Sequence, residues 1–157
     1  MKEELFVGVQ DFPRPPEELF AFFSDPANLE ALTPPWLSFE VLTPRPLPRG
    51  EGAVFDYRIR VRGLPIRWRT LIETFVPGRC FVDRQLAGPY ARWHHTHRFE
   101  ALPGGGTRMT DQVRYRVGWG FLGRLAVALL VRRDVERIFA YRRQELEKRF
   151  GSPPASP

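Results

Sequence analysis

The first forty residues carry a pattern of apolar and polar positions that predicts one strand followed by two short helices. Leu5 to Gln10 alternates weakly and is rich in valine and phenylalanine, which favours a strand. Pro16 suits a helix start, and an apolar run follows it: Leu19, Phe20, Phe22 and Phe23. Asp25 before Pro26 is typical of a new helix N-cap, and this second helix should end before Thr33-Pro34-Pro35.

Between Ser38 and Val117 the hydrophobic period changes to two, which predicts strands. Glycine and proline interrupt this region at 44–52, 63–65, 77–78, 88–89 and 103–106. These breaks divide it into six strands joined mostly by tight turns, so the sheet should be antiparallel. The segment from Phe121 to about Arg149 predicts one long helix. Its apolar stripe consists of Leu125, Leu129, Val135, Ile138, Phe139, Leu146 and Phe150.

This order of elements predicts an α+β fold. A curved, seven-stranded antiparallel sheet should wrap around the long C-terminal helix, with the two short helices after the first strand. A cavity is expected where the sheet and the helix separate by more than side chains can fill. Residues 1–150 are predicted to form one domain, and residues 151–157 a disordered tail.

Strand parity identifies chemically reactive side chains that should face this cavity. His95 and His97 share one face of their strand, whereas His94 lies on the other. In the next strand Asp111 is a carboxylate on an otherwise apolar face. The two flanking turns should place His97 opposite Asp111 and His95 opposite Asp83, with Cβ atoms roughly 5 Å apart. The sequence therefore predicts two histidine–carboxylate pairs side by side.

The same parity predicts the other inward positions. The expected ligand contacts are Phe55, Tyr57, Trp68, Thr70, Ile72, Phe81, Asp83, Gln85, Trp93, His95, His97, Phe99, Met109, Asp111, Val113 and Tyr115. In these registers Gln85 should lie opposite Trp93. Phe99 should lie opposite Met109. Because most of these side chains are apolar or aromatic, the core and the cavity wall should be the same surface.

Composition narrows the class of protein. The chain of 157 residues has one cysteine, Cys80, which excludes an intrachain disulfide framework. The longest apolar run, Leu125 to Val131, is far shorter than the roughly 20 residues that span a bilayer. The start, Met1-Lys2-Glu3-Glu4, is acidic and lacks the apolar region of a secretory signal. These features predict a cytoplasmic protein.

Several short motifs resemble those of a known superfamily when they occur in this order. They are Phe22-Phe23-Ser24-Asp25-Pro26, Asn28-Leu29, Thr33-Pro34-Pro35-Trp36, Gly88-Pro89 and Trp93-x-His95-x-His97-x-Phe99. Together they resemble the START-like or SRPBCC superfamily, in the branch of small bacterial ligand-binding domains similar to polyketide cyclases/dehydrases and lipid-transport proteins. The resemblance covers nearly the whole chain. It implies a helix-grip fold with a deep cavity between the sheet and the C-terminal helix.

Three interpretations of the histidine–carboxylate set are open. In the first, the side chains form a buried polar network in which each satisfies another. In the second, His97, oriented by Asp111, acts as a general base or acid in cyclase or dehydratase chemistry. In the third, His95 and His97 bind a metal together with Asp83 or Asp111. Because that spacing is permissive and the superfamily it resembles generally needs no metal, the sequence interpretation includes no metal and no cofactor.

The charge balance raises the question of partners, since 24 basic against 18 acidic residues leave a net charge of +6. Five arginines should share the outer face of the first long hairpin: Arg58, Arg60, Arg62, Arg67 and Arg69. Arg60 and Arg67 should lie nearly opposite each other. The simplest interpretation is a solvated face relieved by Asp56 and Glu73. Transient contact with an anionic membrane is the second, and nucleic-acid binding is disfavoured because no recognition motif is present.

The sequence as a whole predicts a carrier or sensor that binds a small hydrophobic or amphipathic ligand, such as a lipid, a polyketide-like or an aromatic molecule. Two alternatives stand beside it. One is a cyclase or dehydratase-type enzyme with His97 and Asp111 as catalytic residues. The other is an arginine-rich module that contacts an anionic membrane or nucleic acid. The sequence favours no particular oligomeric state.

Overall fold

The computed structural model of the protein describes residues 3–118 and 124–152. Its elements in chain order are β1 (Glu4–Phe12), α1 (Pro16–Phe23), α2 (Leu29–Leu32), β2 (Glu40–Val41), β3 (Val54–Val61), β4 (Leu64–Val76), β5 (Cys80–Ala87), β6 (Tyr90–Ala101), β7 (Thr107–Val117) and α3 (Arg124–Phe150). Single 3-10 turns lie at Pro26–Asn28 and Pro35–Leu37. The predicted helix start at Phe121 and the predicted tail beyond Ser152 lie outside the described residues.

The two short helices form where the sequence predicts them. Pro16 occupies the first turn of α1, where its missing N–H is not needed. The Asp25 carboxylate then accepts a hydrogen bond from the backbone N–H of Ala27 at 3.0 Å, which caps the next turn. The Asn28 side chain donates to the carbonyl of Phe22 at 2.9 Å. These contacts turn the chain back toward the sheet, so α1 covers one end of its inner face.

The strands form one seven-stranded sheet in the order β1-β7-β6-β5-β4-β3-β2, and every neighbouring pair is antiparallel. β2 to β7 follow one another as a meander. β1 is added at the far edge, where it pairs with β7 along its whole length. With α3 at the end of the chain, this confirms the predicted α+β helix-grip architecture.

The register in the centre of the sheet agrees with the prediction. His97 lies opposite Asp111, and Asp83 lies opposite His95. Phe99 lies opposite Met109 as well. These pairings hold because the turns before β6 and β7 have the lengths that the glycines and prolines indicate, and turn length determines the register of a hairpin.

Two predicted pairings lie beside turns, where one is just past the end of the paired strands and the other is wrong. The paired part of β5 and β6 ends at Arg84 and His94, one position before Gln85 and Trp93, which the same register would place opposite each other. The Gln85 amide donates to the carbonyl of Tyr90 at 2.7 Å. In the first long hairpin a two-residue turn at 62–63, with both φ angles positive, is tighter than predicted. It places Arg67 opposite Arg58 rather than Arg60.

Helix α3 packs on the inner face through a stripe close to the predicted one. Val135, Leu146 and Phe150 are buried. Leu129 is wrong as a stripe member, because 56% of it is exposed. Leu129 precedes Val135 by six residues, which places it about two-thirds of a helical turn away from the buried stripe. Val131 precedes Val135 by only four residues and packs against the core. The side chain of Leu125 lies outside the described part. No helix of residues 3–118 and 124–152 is both long and apolar enough to span a membrane.

Candidate functional site

Four ionisable side chains meet at the centre of the inner face. β5 contributes Asp83, β6 contributes His95 and His97, and β7 contributes Asp111. Because these three strands are neighbours and inward positions recur every second residue, the four side chains fall on one small patch. His95, His97 and Asp111 are buried, and Asp83 is partly buried. We refer to these four residues as the central cluster.

The hydrogen bonds within the central cluster run diagonally. His95 Nε2 lies 2.9 Å from Asp111 Oδ1, and His97 Nε2 lies 2.9 Å from Asp83 Oδ2. The directly opposite partners are also close, at 2.9 Å for His97 Nδ1 and Asp111 Oδ1 and 3.4 Å for His95 Nδ1 and Asp83 Oδ2. The four groups therefore form one closed ring, which corrects the prediction of two separate pairs.

Both ring nitrogens of His97 point at carboxylates, so neither is left to face the space between the sheet and α3. The reason is geometric: the two imidazole centroids are only 3.7 Å apart, and each ring therefore reaches the carboxylate opposite its neighbour as well as its own. His97 Nδ1 is nevertheless poorly directed. It is buried and has no hydrogen-bond partner with suitable angles among the described residues. The central cluster is therefore compact but not fully satisfied.

Aromatic rings enclose the central cluster. Phe81 stacks on His97 with centroids 4.1 Å apart and an interplanar angle of 17°. Phe139 of α3 and Trp93 of β6 meet the ring of His95 edge-on, at 5.5 Å and 6.4 Å between centroids. Such apolar walls limit the access of water, so interactions between the charged groups are stronger than at the surface.

Burial disfavours charge throughout the central cluster, yet both carboxyl groups favour the ionised form. For Asp83, the neighbouring His95 and His97 outweigh burial and lower the pKa. For Asp111, Arg142 and the two histidines outweigh burial and hold the pKa well below its usual value. The imidazoles diverge: burial and the adjacent His97 lower the pKa of His95, whereas the carboxylate contacts of His97 outweigh burial and raise its pKa.

Arg142 is a site residue that the sequence interpretation missed. Its guanidinium lies over the rings of Phe23 and Phe139, at 5.2 Å and 5.7 Å from their centroids. Its Nε is buried and has no hydrogen-bond partner among the described residues. Position 142 follows Phe139 by three residues and precedes Leu146 by four, so the helical period that identifies the stripe also points to this arginine.

A cleft of about 320 Å³ lies between β1 and α3, and it is partly open to solvent. Gln10 crosses it by donating to the carbonyl of Arg143 at 3.1 Å. A smaller hollow of about 150 Å³ continues along the same two elements. The cleft is lined by Phe6, Val7, Gly8, Val9, Gln10, Met109, Asp111, Glu136, Phe139, Ala140, Arg142, Arg143 and Leu146.

Of the predicted ligand contacts, Met109 and Asp111 line this cleft. The others lie on the inner face of the sheet in three groups. One group, around α1, contains Phe81 and Phe99; a second, against α3, contains Val113 and Tyr115. The third is aromatic: Tyr57 stacks on Trp68 at 5.7 Å, and Trp68 meets Trp93 edge-on at 5.3 Å. The remaining positions are Phe55 and Thr70, which are buried, and Ile72 and Gln85, which are partly buried.

The outer face of the sheet carries ion pairs. Asp56 contacts Arg69 at 2.8 Å and Arg67 at 3.2 Å, as expected for a face relieved by its own acids. Glu73 does not pair with the hairpin arginines as predicted, because it lies four residues beyond Arg69 in β4 and contacts Arg84 and His94. These pairs are largely exposed, so each contributes about 0 to 1 kcal/mol.

Comparison with known proteins agrees with this architecture. Residues 12–139 match the family model described as polyketide cyclase / dehydrase and lipid transport. The match spans most of the sequence, and the chain belongs to this family. No curated protein matches the sequence significantly.

Solved structures show the same fold at low sequence identity. A START superfamily protein from Mycobacterium smegmatis has a TM-score of 0.69 and 11% identity, with 93% of this chain and 96% of that chain covered. The Zhui aromatase/cyclase from Streptomyces sp. R1128 has a TM-score of 0.66 and 16% identity, with 94% and 96% covered. A protein from Thermus thermophilus has a TM-score of 0.60 and 24% identity, with 91% and 97% covered. The fold is thus a START/polyketide cyclase-like ligand-binding fold.

Proposed function

We propose that this protein is a carrier or sensor that binds a small amphipathic molecule between the sheet and α3, with the cleft beside β1 as its entrance. The observation that carries the proposal is the cleft itself. Its volume of about 320 Å³ is at the lower end of the range of small-molecule sites. Apolar side chains form much of its lining, together with a few charged groups, which is the usual composition of such a site.

The apolar part of the ligand would contact Phe6, Met109, Phe139 and Leu146. These side chains come from β1, β7 and α3, so a ligand seated among them would join the edge of the sheet to the helix. Each apolar group removed from water there would contribute about 25 cal/mol per Å² of buried area. This supports a ligand with a hydrocarbon or aromatic body.

The polar end of the ligand would meet Arg142. A buried N–H without a partner costs about 1 to 3 kcal/mol, so a ligand oxygen that accepts from Arg142 Nε would be favoured. A carboxylate or a polarised carbonyl fits this donor best, because guanidinium groups bind such oxygens through charge-assisted hydrogen bonds. The proposed ligand class is therefore an apolar molecule with an acid or carbonyl end, as in fatty acids and polyketide-like compounds.

An enzymatic role of the His97–Asp111 pair has less support. A general base needs a free nitrogen or oxygen within reach of the substrate and a pKa near the working pH. Both nitrogens of His97 contact carboxylates, and the pKa of Asp111 is held well below its usual value by Arg142 and the histidines, which outweigh burial. The carrier or sensor role, in the cytoplasm, is therefore the one we propose.

A fatty acid with a solvatochromic dye tests the proposal. We expect saturable one-to-one binding that is at least about tenfold weaker in Ala140→Trp, because an indole at this cleft position would occupy the entrance. Ala101→Trp is the matched control, since Ala101 is exposed at the end of β6, away from the cleft. Arg142→Gln should weaken binding of the acid probe more than binding of the corresponding alcohol. Absent saturation, or equal binding by both tryptophan variants, would contradict the proposal.

A further inference from the structure

The central cluster has more nitrogen–oxygen contacts than it has protons to place in them. Four close contacts join two imidazoles to two carboxylates. With neutral imidazoles and ionised carboxylates only two N–H groups are present, so two nitrogen lone pairs face carboxylate oxygens. Protonating both imidazoles would fill all four contacts but would place two cations with ring centroids 3.7 Å apart in an apolar enclosure. A proton added to His97 alone would fill three of the four contacts and leave the lone pair of His95 Nδ1 facing Asp83 Oδ2 at 3.4 Å.

A divalent metal ion would remove the conflict. Asp83, His95 and His97 can each offer one ligand atom, and these three atoms lie within 4.8 Å of one another. Asp83 Oδ2 lies 2.9 Å from His97 Nε2 and 3.4 Å from His95 Nδ1. Ligand atoms on a tetrahedral zinc ion, at about 2.0 to 2.1 Å from the metal, are about 3.4 Å from each other. Asp83 Oδ2 is thus already near this distance from both nitrogens.

The fourth member of the central cluster then has a defined position. When His95 Nδ1 and His97 Nε2 bind the metal, the other nitrogens, His95 Nε2 and His97 Nδ1, carry the protons. Both lie 2.9 Å from the same oxygen, Asp111 Oδ1. A carboxylate that accepts from the outer N–H of a metal-bound histidine holds the ring and its tautomer, and it is a regular feature of zinc sites. The orphaned His97 Nδ1 would gain a partner after a small rotation of its ring.

We infer that Asp83, His95 and His97 form a binding site for a divalent transition-metal ion of the zinc type, with Asp111 as the outer carboxylate that orients both histidines. Two nitrogen ligands favour zinc, cobalt or iron over magnesium and calcium, which prefer oxygen ligands. Three protein ligands leave a fourth position for water or for an oxygen of a bound molecule. The inference of this metal site does not rest on the ligand proposed above.

Charge is consistent with this assignment. Two ionised carboxylates and two neutral imidazoles carry a charge of −2, which one divalent ion neutralises. Arg142 also acts on both carboxylates, but its guanidinium lies over Phe23 and Phe139 and, within the described part of the chain, makes no salt bridge within 4.0 Å to either carboxylate. It can therefore remain in place when the metal binds.

Cobalt(II) titration of the chelator-treated protein tests the inference. We expect one equivalent to bind, with the intense visible bands of a tetrahedral site, and one equivalent of Zn²⁺ to displace it. Asp83→Asn should weaken binding by more than about 100-fold, and Asp111→Asn by about 10- to 100-fold. His94→Gln is the matched control, because His94 lies on the outer face beside Glu73, and it should bind cobalt like the parent protein.

Absence of one-to-one binding, or a loss in His94→Gln as large as in Asp83→Asn, would overturn the inference. X-ray absorption of the Zn²⁺-loaded parent protein keeps the test valid should Asp83→Asn fail to fold. Two imidazoles in the first coordination sphere are expected, and a shell of oxygens alone would overturn the inference. A fatty-acid probe that fails while cobalt binds would contradict the ligand proposal only.

Discussion

Strand β6 presents neighbouring histidines to two different environments. His95 lies on the inner face, in contact with two carboxylates and enclosed by aromatic rings. His94 lies on the outer face, beside Glu73 at 3.2 Å, with a quarter of its side chain exposed. The partner chemistry is the same on both faces, an imidazole against a carboxylate. Only the surroundings differ.

The difference shows that the contribution of an ion pair to stability depends on its environment. On the outer face water and salt screen the charges, and double-mutant measurements of such pairs give about 0 to 1 kcal/mol. On the inner face each charge has lost its water, so the partners must replace that solvation. Removing one inner partner leaves the others uncompensated, whereas removing one outer partner exposes the other to solvent.

The largest expected effect follows from removing one inner histidine. His97→Ala should destabilise the protein by about 3 to 5 kcal/mol, because it leaves Asp83 and Asp111 with one imidazole between them and opens a hole against Phe81. His94→Ala should change stability by no more than about 0.5 kcal/mol. Urea unfolding with a chelator present measures both. Similar losses of stability in the two variants would contradict the proposed difference between the inner and outer faces.

A middle-sized effect with a defined pH dependence is expected for Asp111→Asn. In the parent protein the pKa of the Asp111 carboxyl is held well below its usual value because Arg142 and the histidines outweigh burial. The ionised form therefore stabilises the fold at any pH above the unfolded pKa of about 3.9, and this contribution is lost as the pH falls through the folded pKa. At pH 7 the variant should be less stable by about 1 to 3 kcal/mol.

The pH series provides the control for that prediction. Urea unfolding at several pH values from neutral downwards should show a constant gap between the parent and Asp111→Asn until about pH 4, and a narrowing gap below it. Asp56→Asn on the outer face should show a gap of at most about 1 kcal/mol throughout. A difference in unfolding free energy between the parent and Asp111→Asn that widens on acidification would contradict this prediction.

The smallest effect on stability is expected on the outer face itself. Replacing Arg58, Arg60, Arg67 and Arg69 with glutamine should change the free energy of unfolding by no more than about 1 kcal/mol. If this face contacts anionic membranes, the same variant should bind vesicles of anionic lipid less well, since each arginine near such a surface contributes about 1 kcal/mol. Vesicle co-sedimentation at low and high salt measures this. Parent-protein binding that salt does not change would argue against the electrostatic contact.

Local chemistry explains why much of the fold was predictable. Glycine and proline mark the turns, and strand parity separates His95 and His97 from His94. Pro16 at the first position of α1 and the Asp25 cap mark the helical starts. These signals act over a few residues, so they can be recognised without the tertiary structure. An error occurs at the end of one such segment, where the tight turn at 62–63 places Arg67 opposite Arg58 rather than Arg60.

The candidate site was predictable in its members but not in its connections. Parity and turn length placed Asp83, His95, His97 and Asp111 together, since both are properties of neighbouring strands. Which nitrogen contacts which carboxylate depends on side-chain rotation, and two rings 3.7 Å apart reach partners diagonally as easily as directly. Arg142 lies in phase with the predicted helix stripe, but its contact with the site depends on how α3 packs on the sheet.

The amino-acid sequence by itself determined the order of elements, the antiparallel meander from β2 to β7 and the inward face of each central strand, because turn chemistry and period-two alternation are local. Tertiary structure decided the rest. β1 pairs with β7 across about a hundred residues of chain, and the cleft lies where this edge strand meets α3. Position along the chain carries no information about such a contact. It arises because burying the inner face of the sheet under α3 stabilises one arrangement of the whole molecule.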